Sequence, residues 1–134
     1  MKHLGDITLL NGATIPAVNV IIGGSPCQDL SVAGRQAGFS GARSVLFMDQ
    51  IRIIKQMREA DIKNGRTGKD IRPRFMVWEN VPGAFSSNKG ADFASVLTET
   101  VRVVEPKAPA IVKPAKGWPT AGRIVGMGNG GGTI

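Results

Sequence analysis

Cys27 is the only cysteine of the 134-residue chain, and it follows Ile21-Ile22-Gly23-Gly24-Ser25-Pro26, an apolar run closed by two glycines, a serine and a proline. A thiol placed where a strand gives way to a loop of small residues is open to an approaching substrate, and as thiolate it is a strong nucleophile. Trp78-Glu79-Asn80-Val81 ends a second apolar run in the same manner, which sets a carboxyl on the same sheet edge as the thiol. A lone cysteine is more often an inert small hydrophobe. Here Pro26 fixes the backbone ahead of it and Gln28, Asp29 and Ser31 follow it, a poor fit to a buried filler position. The chemistry expected is therefore attack by the Cys27 thiolate, with Glu79 as its partner carboxyl. His3 is the one histidine, so neither a Cys–His protease pair nor a zinc ligand set can be assembled, and no metal is expected.

These groups need elements to hold them. Val18-Asn19-Val20-Ile21-Ile22-Gly23 is short, β-branched and almost continuously apolar, the pattern of a strand buried on both faces of a parallel sheet. From Ser44 to Ala60, Phe47, Met48, Ile51, Ile54 and Met57 recur at helical spacing while Asp49, Arg52, Lys55, Gln56 and Glu59 take the other side. Ser44 is the expected N-cap of this helix and Asn64-Gly65 its stop. Arg74–Glu79 reads as a second strand, and Phe93, Val96, Leu97, Val101 and Val104 mark a second helix. The order strand, helix, strand, helix predicts an α/β fold, part of a doubly wound, mostly parallel sheet with helices on its faces. Gly5-Asp6-Ile7-Thr8 reads as a loop following an earlier strand, so the chain is expected to begin in mid-fold.

Composition narrows the class. A length of 134 residues with 42% hydrophobic content suits one small domain. No apolar stretch approaches the ~18 residues that would span a bilayer, and the single cysteine fits a reducing compartment, so a cytoplasmic protein with no membrane partner is expected. The net charge of +7 invites a nucleic-acid partner. Position qualifies this, because Lys63, Arg66, Lys69, Arg72 and Arg74, against Asp70 alone, occupy a helix-to-strand connection. Such connections lie at the amino ends of strands, whereas ligands of open α/β sheets bind at the carboxyl ends. That cluster reads as a solvated loop. The loop after Cys27, with Gln28, Ser31, Arg35, Gln36, Ser40 and Arg43 among Gly34, Gly38 and Gly41, suits phosphate and base contact. From Glu105 onward prolines and glycines break every period, so 105–134 is expected to be loop or flexible tail. Gly126-Met127-Gly128-Asn129-Gly130-Gly131 matches a dinucleotide fingerprint formally but lacks the strand before it and the helix after it.

Taken in order, Gly5-Asp6-Ile7-Thr8, Gly24-Ser25-Pro26-Cys27-Gln28-Asp29-Leu30-Ser31, Arg43-Ser44-Val45-Leu46-Phe47 and Glu79-Asn80-Val81 resemble the DNA cytosine-5 methyltransferase family of bacteria and phages, over residues 1–104. The resemblance implies a Rossmann-like S-adenosylmethionine-dependent methyltransferase fold, with 1–104 as the central part of its catalytic domain. It also implies a reaction in which Cys27 adds to C6 of a cytosine flipped out of double-stranded DNA, so that C5 accepts a methyl group from S-adenosylmethionine. Glu79 would hydrogen-bond the base edge. Asp6 and Ile7 would meet the adenine of the cofactor, with Pro26 and Leu46 lining its pocket. Gln28, Ser31, Arg35, Gln36, Arg43 and Asn80 would lie on the DNA side, with Asn80 also helping to hold the loop that bears Glu79.

The sequence departs from the family pattern in lacking a Phe-x-Gly-x-Gly loop before Asp6 and an acidic ribose ligand on the next strand. A later Gln-x-Arg-x-Arg strand and a target-recognition domain are also missing, and Asn19 stands where an acid is common. The expectation is a partial methyltransferase, not self-sufficient, with a second polypeptide as one source of the missing motifs. The alternative is a catalytically inactive, basic DNA-binding or interaction remnant. A bacterial or phage-infected cell is the expected setting, for restriction-modification or phage self-protection.

Overall fold

The computed structural model describes residues 2–24, 44–79, 82–119, 123–125 and 131–133, and these fall into two compact units. The first unit holds strand β1 (Val20–Gly24), helix α1 (Ser44–Lys63) and strand β2 (Phe75–Glu79). β1 and β2 pair in parallel, Val20 opposite Phe75 through Gly24 opposite Glu79, with α1 between them in sequence. This is the strand–helix–strand unit that the alternating pattern predicts, and it places both strands' carboxyl ends side by side.

Helix α1 supplies the core of this unit. Phe47, Ile51, Ile53, Ile54 and Met57 are all buried, each burial contributing up to roughly 1.5–3 kcal/mol. Ile53 joins the buried set, whereas Met48, expected on the apolar stripe, is 37% exposed. The helix begins at Ser44 and runs three residues beyond Ala60 to Lys63. There Gly65 takes a left-handed φ of 93°, and Arg66 N–H donates to the Asp61 carbonyl. Only glycine adopts that φ freely, so Asn64-Gly65 is the stop.

The strand expectation needs one correction. β1 and β2 both alternate in exposure, so they are not buried on both faces. Val20, Ile22, Phe75 and Val77 stand on the open side, with Ile22 72% exposed. Continuous apolar sequence signals a strand suited to two covered faces, and among the described residues only one face of this strand pair is covered.

The basic connection also differs from a simple solvated loop. Asp61, buried near the end of α1, accepts from Arg72 Nη2 at 2.8 Å and from Arg72 backbone N–H at 2.9 Å, with Arg66 Nε 3.7 Å away. Arg58 donates to the carbonyls of Ile71 and Pro73 at 3.0 and 2.6 Å. Two of the five basic side chains therefore pair with Asp61, while 64–70 remain exposed.

Residues 2–19 form turns without a strand and are fastened to α1. Gly12 is the tightest point: a Cβ there would collide with the Ile53 carbonyl, a backbone atom that cannot swing away. Gly12→Ala is expected to lower the stability of the chain by about 1–3 kcal/mol, the usual cost of overpacking, measured as a shift in urea midpoint. An unchanged midpoint would show that the loop does not lie on the helix in this way.

The second unit is built on helix α2 (Ala91–Arg102), whose Phe93, Ala94, Val96 and Leu97 are buried. Phe93 packs between Phe85 and Trp118, with ring centroids 4.6 and 5.0 Å away. Residues 105–119 contain no helix or strand, but they are not a free tail. Ile111 N–H donates to Thr98 Oγ1 at 2.9 Å, Arg102 Nε to the Ala108 carbonyl at 3.2 Å and Trp118 Nε1 to the Gly90 carbonyl at 3.1 Å. Within the stretch expected to be loop throughout, β3 (Arg123–Val125) and β4 (Gly131–Thr133) pair antiparallel. Gly126–Gly130, most of the formal dinucleotide fingerprint, lie outside the described residues. Among the described residues no helix is long and apolar enough to cross a membrane.

Candidate nucleophile edge and cofactor turn

Two features of the first unit carry the candidate site. The first is the carboxyl edge of the strand pair. Gly24 ends β1 opposite Glu79, which ends β2. The Glu79 carboxyl leans across this pair, for Oε2 stands 2.8 Å from where a Gly24 Cβ would lie. Glycine at this position is what lets the carboxyl occupy the strand end that leads, three residues on, to Cys27. Glu79 itself is exposed to solvent. Behind the edge, Trp78 meets Phe47 of α1 with centroids 5.4 Å apart and planes at 55°, a tilted aromatic contact that fixes the end of β2 on the helix.

Gly24→Ala follows as a test. The displaced atom is the end of a flexible side chain, so thermal stability should change little while the carboxyl is pushed off the strand end. In a fluorinated-cytosine adduct assay the yield is expected to fall by roughly tenfold or more, as for other small displacements of reacting groups. An undiminished yield would remove Glu79 from the site.

The second feature is the turn at Asp6. One carboxylate oxygen of Asp6 accepts both the backbone N–H and the hydroxyl of Thr8, each at 2.9 Å. These two bonds pull the Asp6 pKa below its ordinary value and hold the side chain as a fixed anion. Leu9 N–H donates to the Asp6 carbonyl and Leu10 N–H to that of Ile7, closing the turn. Ile7 is half-buried, and so is Leu46 in the first turn of α1. An ordered carboxylate next to the half-buried Ile7 could accept from an exocyclic amino group such as that of an adenine.

Gln50 was expected on neither stripe of α1. Its amide nitrogen packs against Gly23, and its Oε1 is buried with no hydrogen-bond partner among the described residues. A buried acceptor left open is rare. Arg52 and Gln56, read from spacing as lying on the polar side of α1, hydrogen-bond the residue 7–12 loop, and Asp49 orients Arg52. The missed signal was their own i, i+3, i+7 spacing, which puts one acid, one arginine and one amide on a single stripe. Cys27, Pro26, Gln28, Ser31, Arg35, Gln36, Arg43 and Asn80 lie outside the described residues.

Comparison with known proteins decides the family. The model of the C-5 cytosine-specific DNA methylase family matches residues 1–103. The chain belongs to that family. Among its relatives, the orphan methyltransferase M.SPRI of Bacillus phage SPR is 32% identical over 88 residues, covering 66% of this chain and 17% of that protein. The type II methyltransferase M1.ScrFI of Lactococcus lactis subsp. cremoris is 34% identical over 93 residues, 69% of this chain and 20% of the relative. The type II methyltransferase M.HhaI of Haemophilus parahaemolyticus is 31% identical over 104 residues, 78% of this chain and 27% of the relative. The chain thus spans about a quarter or less of the length of these methylases. The parallel β1–α1–β2 unit is consistent with part of a Rossmann-like C-5 cytosine methylase domain.

Proposed function

We propose that the chain carries the nucleophile and the adenine-side cofactor turn of a DNA cytosine-5 methyltransferase. The observation that carries this reading is the pairing of Gly24 with Glu79, which brings a carboxyl onto the strand end leading into Ser25-Pro26-Cys27. C-5 cytosine methylases use S-adenosylmethionine. When bound, it supplies an electrophilic methyl group on a sulfonium. Asp6, Ile7, Pro26 and Leu46 are the residues that would hold it.

In this mechanism the Cys27 thiolate adds to C6 of a cytosine extruded from duplex DNA, forming a sulfur–carbon bond and moving electron density to C5. Glu79 hydrogen-bonds the N3 and 4-amino edge and so stabilises the charge that develops there. After C5 is methylated, loss of its proton expels Cys27 and restores the aromatic base. Gln28, Ser31, Arg35, Gln36, Arg43 and Asn80 contact the DNA and retain the flipped base, and Asn80 also steadies the loop that bears Glu79. We infer that turnover also needs the further segments of the family's catalytic and recognition domains, whether in the same polypeptide or in a second one. The cytoplasm of a bacterium or a phage-infected cell is the setting that fits.

The test is transfer of labelled methyl from S-adenosylmethionine to duplex DNA, together with covalent trapping on DNA containing 5-fluorocytosine. The chain is assayed alone and supplemented with the remaining segments of a relative such as M.HhaI. A denaturation-resistant adduct is expected. Absence of both transfer and adduct in both arms would leave a basic binding remnant as the function.

A further inference from the structure

Arg52 makes an unusual set of contacts for a residue on the outer stripe of a surface helix. Its Nη1 donates to the Leu10 carbonyl at 2.6 Å, and its Nη2 donates to the Ile7 carbonyl at 2.8 Å and lies 3.4 Å from that of Thr8. Three main-chain carbonyls, 42 to 45 residues away in sequence, thus converge on one guanidinium. The guanidinium is itself oriented from within α1. Asp49 Oδ1 accepts from Nε at 2.9 Å, and Gln56 Oε1 lies 3.3 Å from Nη1. That same Gln56 oxygen accepts the Gly12 N–H at 2.9 Å, closing the far end of the loop. The Arg52 side chain is 33% exposed and Asp49 14%, so the cluster is partly shielded from water.

Only a planar, always-charged group with donors in a fixed fork can bind several carbonyls of one turn at once. The carbonyls of Ile7 and Thr8 belong to the turn that fixes the Asp6 carboxylate. Leu46, the other described cofactor candidate, lies six residues before Arg52 on the same helix, about 9 Å along its axis. We infer that Arg52 is a positioning residue for cofactor binding: it locks the Asp6–Leu10 turn to α1, so that Asp6 and Ile7 stand at a set distance from Leu46. The inference rests on the reading of Asp6 and Ile7 as the adenine-side residues. Arg52 touches the turn and not the cofactor.

The experiment compares the whole chain with Arg52→Gln, Arg52→Lys and Arg58→Gln. Arg58 is the control, because it also holds main-chain carbonyls from α1, those of Ile71 and Pro73, but far along the helix from Asp6. Two quantities are read: amide hydrogen exchange of residues 6–12 and affinity for S-adenosylhomocysteine by calorimetry. Arg52→Gln is expected to speed exchange across 6–12 and weaken binding by about tenfold, the scale of losing a charge-assisted hydrogen bond. Arg52→Lys, which keeps the charge but not the fork, should lose part of that affinity. Arg58→Gln should leave both readouts unchanged even where it lowers Tm. If Arg52→Gln alters neither, or if Arg58→Gln weakens binding equally, Arg52 has only a structural role and the inference falls. If the unaltered chain binds no S-adenosylhomocysteine, the assignment of Asp6 and Ile7 falls first, and the inference with it.

Discussion

Cys27→Ser is expected to lower both methyl transfer and trapping on 5-fluorocytosine DNA by at least about a thousandfold, to the background of the assay. A free cysteine has a pKa of about 8.5, so a few per cent is already thiolate at neutral pH, and sulfur attacks well from that fraction. The serine hydroxyl has no comparable anion and, in this chain, no histidine to take its proton, since His3 is the only one and stands in the N-terminal segment. The substitution changes one atom and leaves Lys and Arg untouched, so DNA affinity and its salt dependence should be preserved. Loss of adduct with retained DNA binding would identify Cys27 as the attacking group. An adduct that survives in Cys27→Ser would sink the mechanism, because the sequence contains no second thiol.

The largest effect on stability is expected at Asp61. Its side chain is 2% exposed and accepts from Arg72 through two guanidinium nitrogens and the main chain, with Arg66 adding a further positive charge. The hydrogen bonds from Arg72 hold its pKa down at about 2, against an ordinary value of 3.8. A carboxyl whose folded pKa is depressed contributes stability that is complete above the unfolded value and disappears as pH falls toward the folded one. The unaltered chain should therefore lose this contribution between about pH 4 and pH 2. In Asp61→Asn the acid-linked step should be missing from that window. The variant should also melt roughly 5–10 °C lower at pH 7, because an amide offers one acceptor where the carboxylate offers two and leaves Arg72 facing an N–H₂ group. Thermal melts of both proteins across pH 2–7 measure this. Parallel pH profiles for the two would show that the Asp61–Arg72 contact is not what joins α1 to the connection before β2.

These predictions draw on different amounts of sequence information. The apolar stripe of α1 was legible because Phe47, Ile51, Ile54 and Met57 repeat at helical spacing, and burial follows period. The stop at Gly65 was legible because the residue type matches the left-handed backbone the chain adopts there. What the polar stripe holds was not legible, for an equally physical reason. Periodicity separates apolar from polar but cannot tell a polar side chain facing water from one facing buried main-chain carbonyls. Arg52 and Gln56 face the carbonyls and N–H groups of 7–12, and Asp49 faces Arg52. Likewise, prolines and glycines correctly signal the absence of helix over 105–119 but say nothing of whether such a segment packs. Thr98, Arg102 and the Gly90 carbonyl hold it against α2.

By itself the sequence determined the family, through short motifs whose order and spacing resemble that family's, around Asp6, Cys27 and Glu79. It also determined the alternation of strand and helix, because hydrophobic period is a local property. Only the tertiary structure decided that Gly24 and Glu79 share a register, that among the described residues one face of the β1–β2 pair stays open, and that Arg52 joins the Asp6–Leu10 turn to α1. Each of these depends on backbone groups far apart in the chain meeting at hydrogen-bonding or van der Waals distance, and no local pattern of side chains records such a meeting.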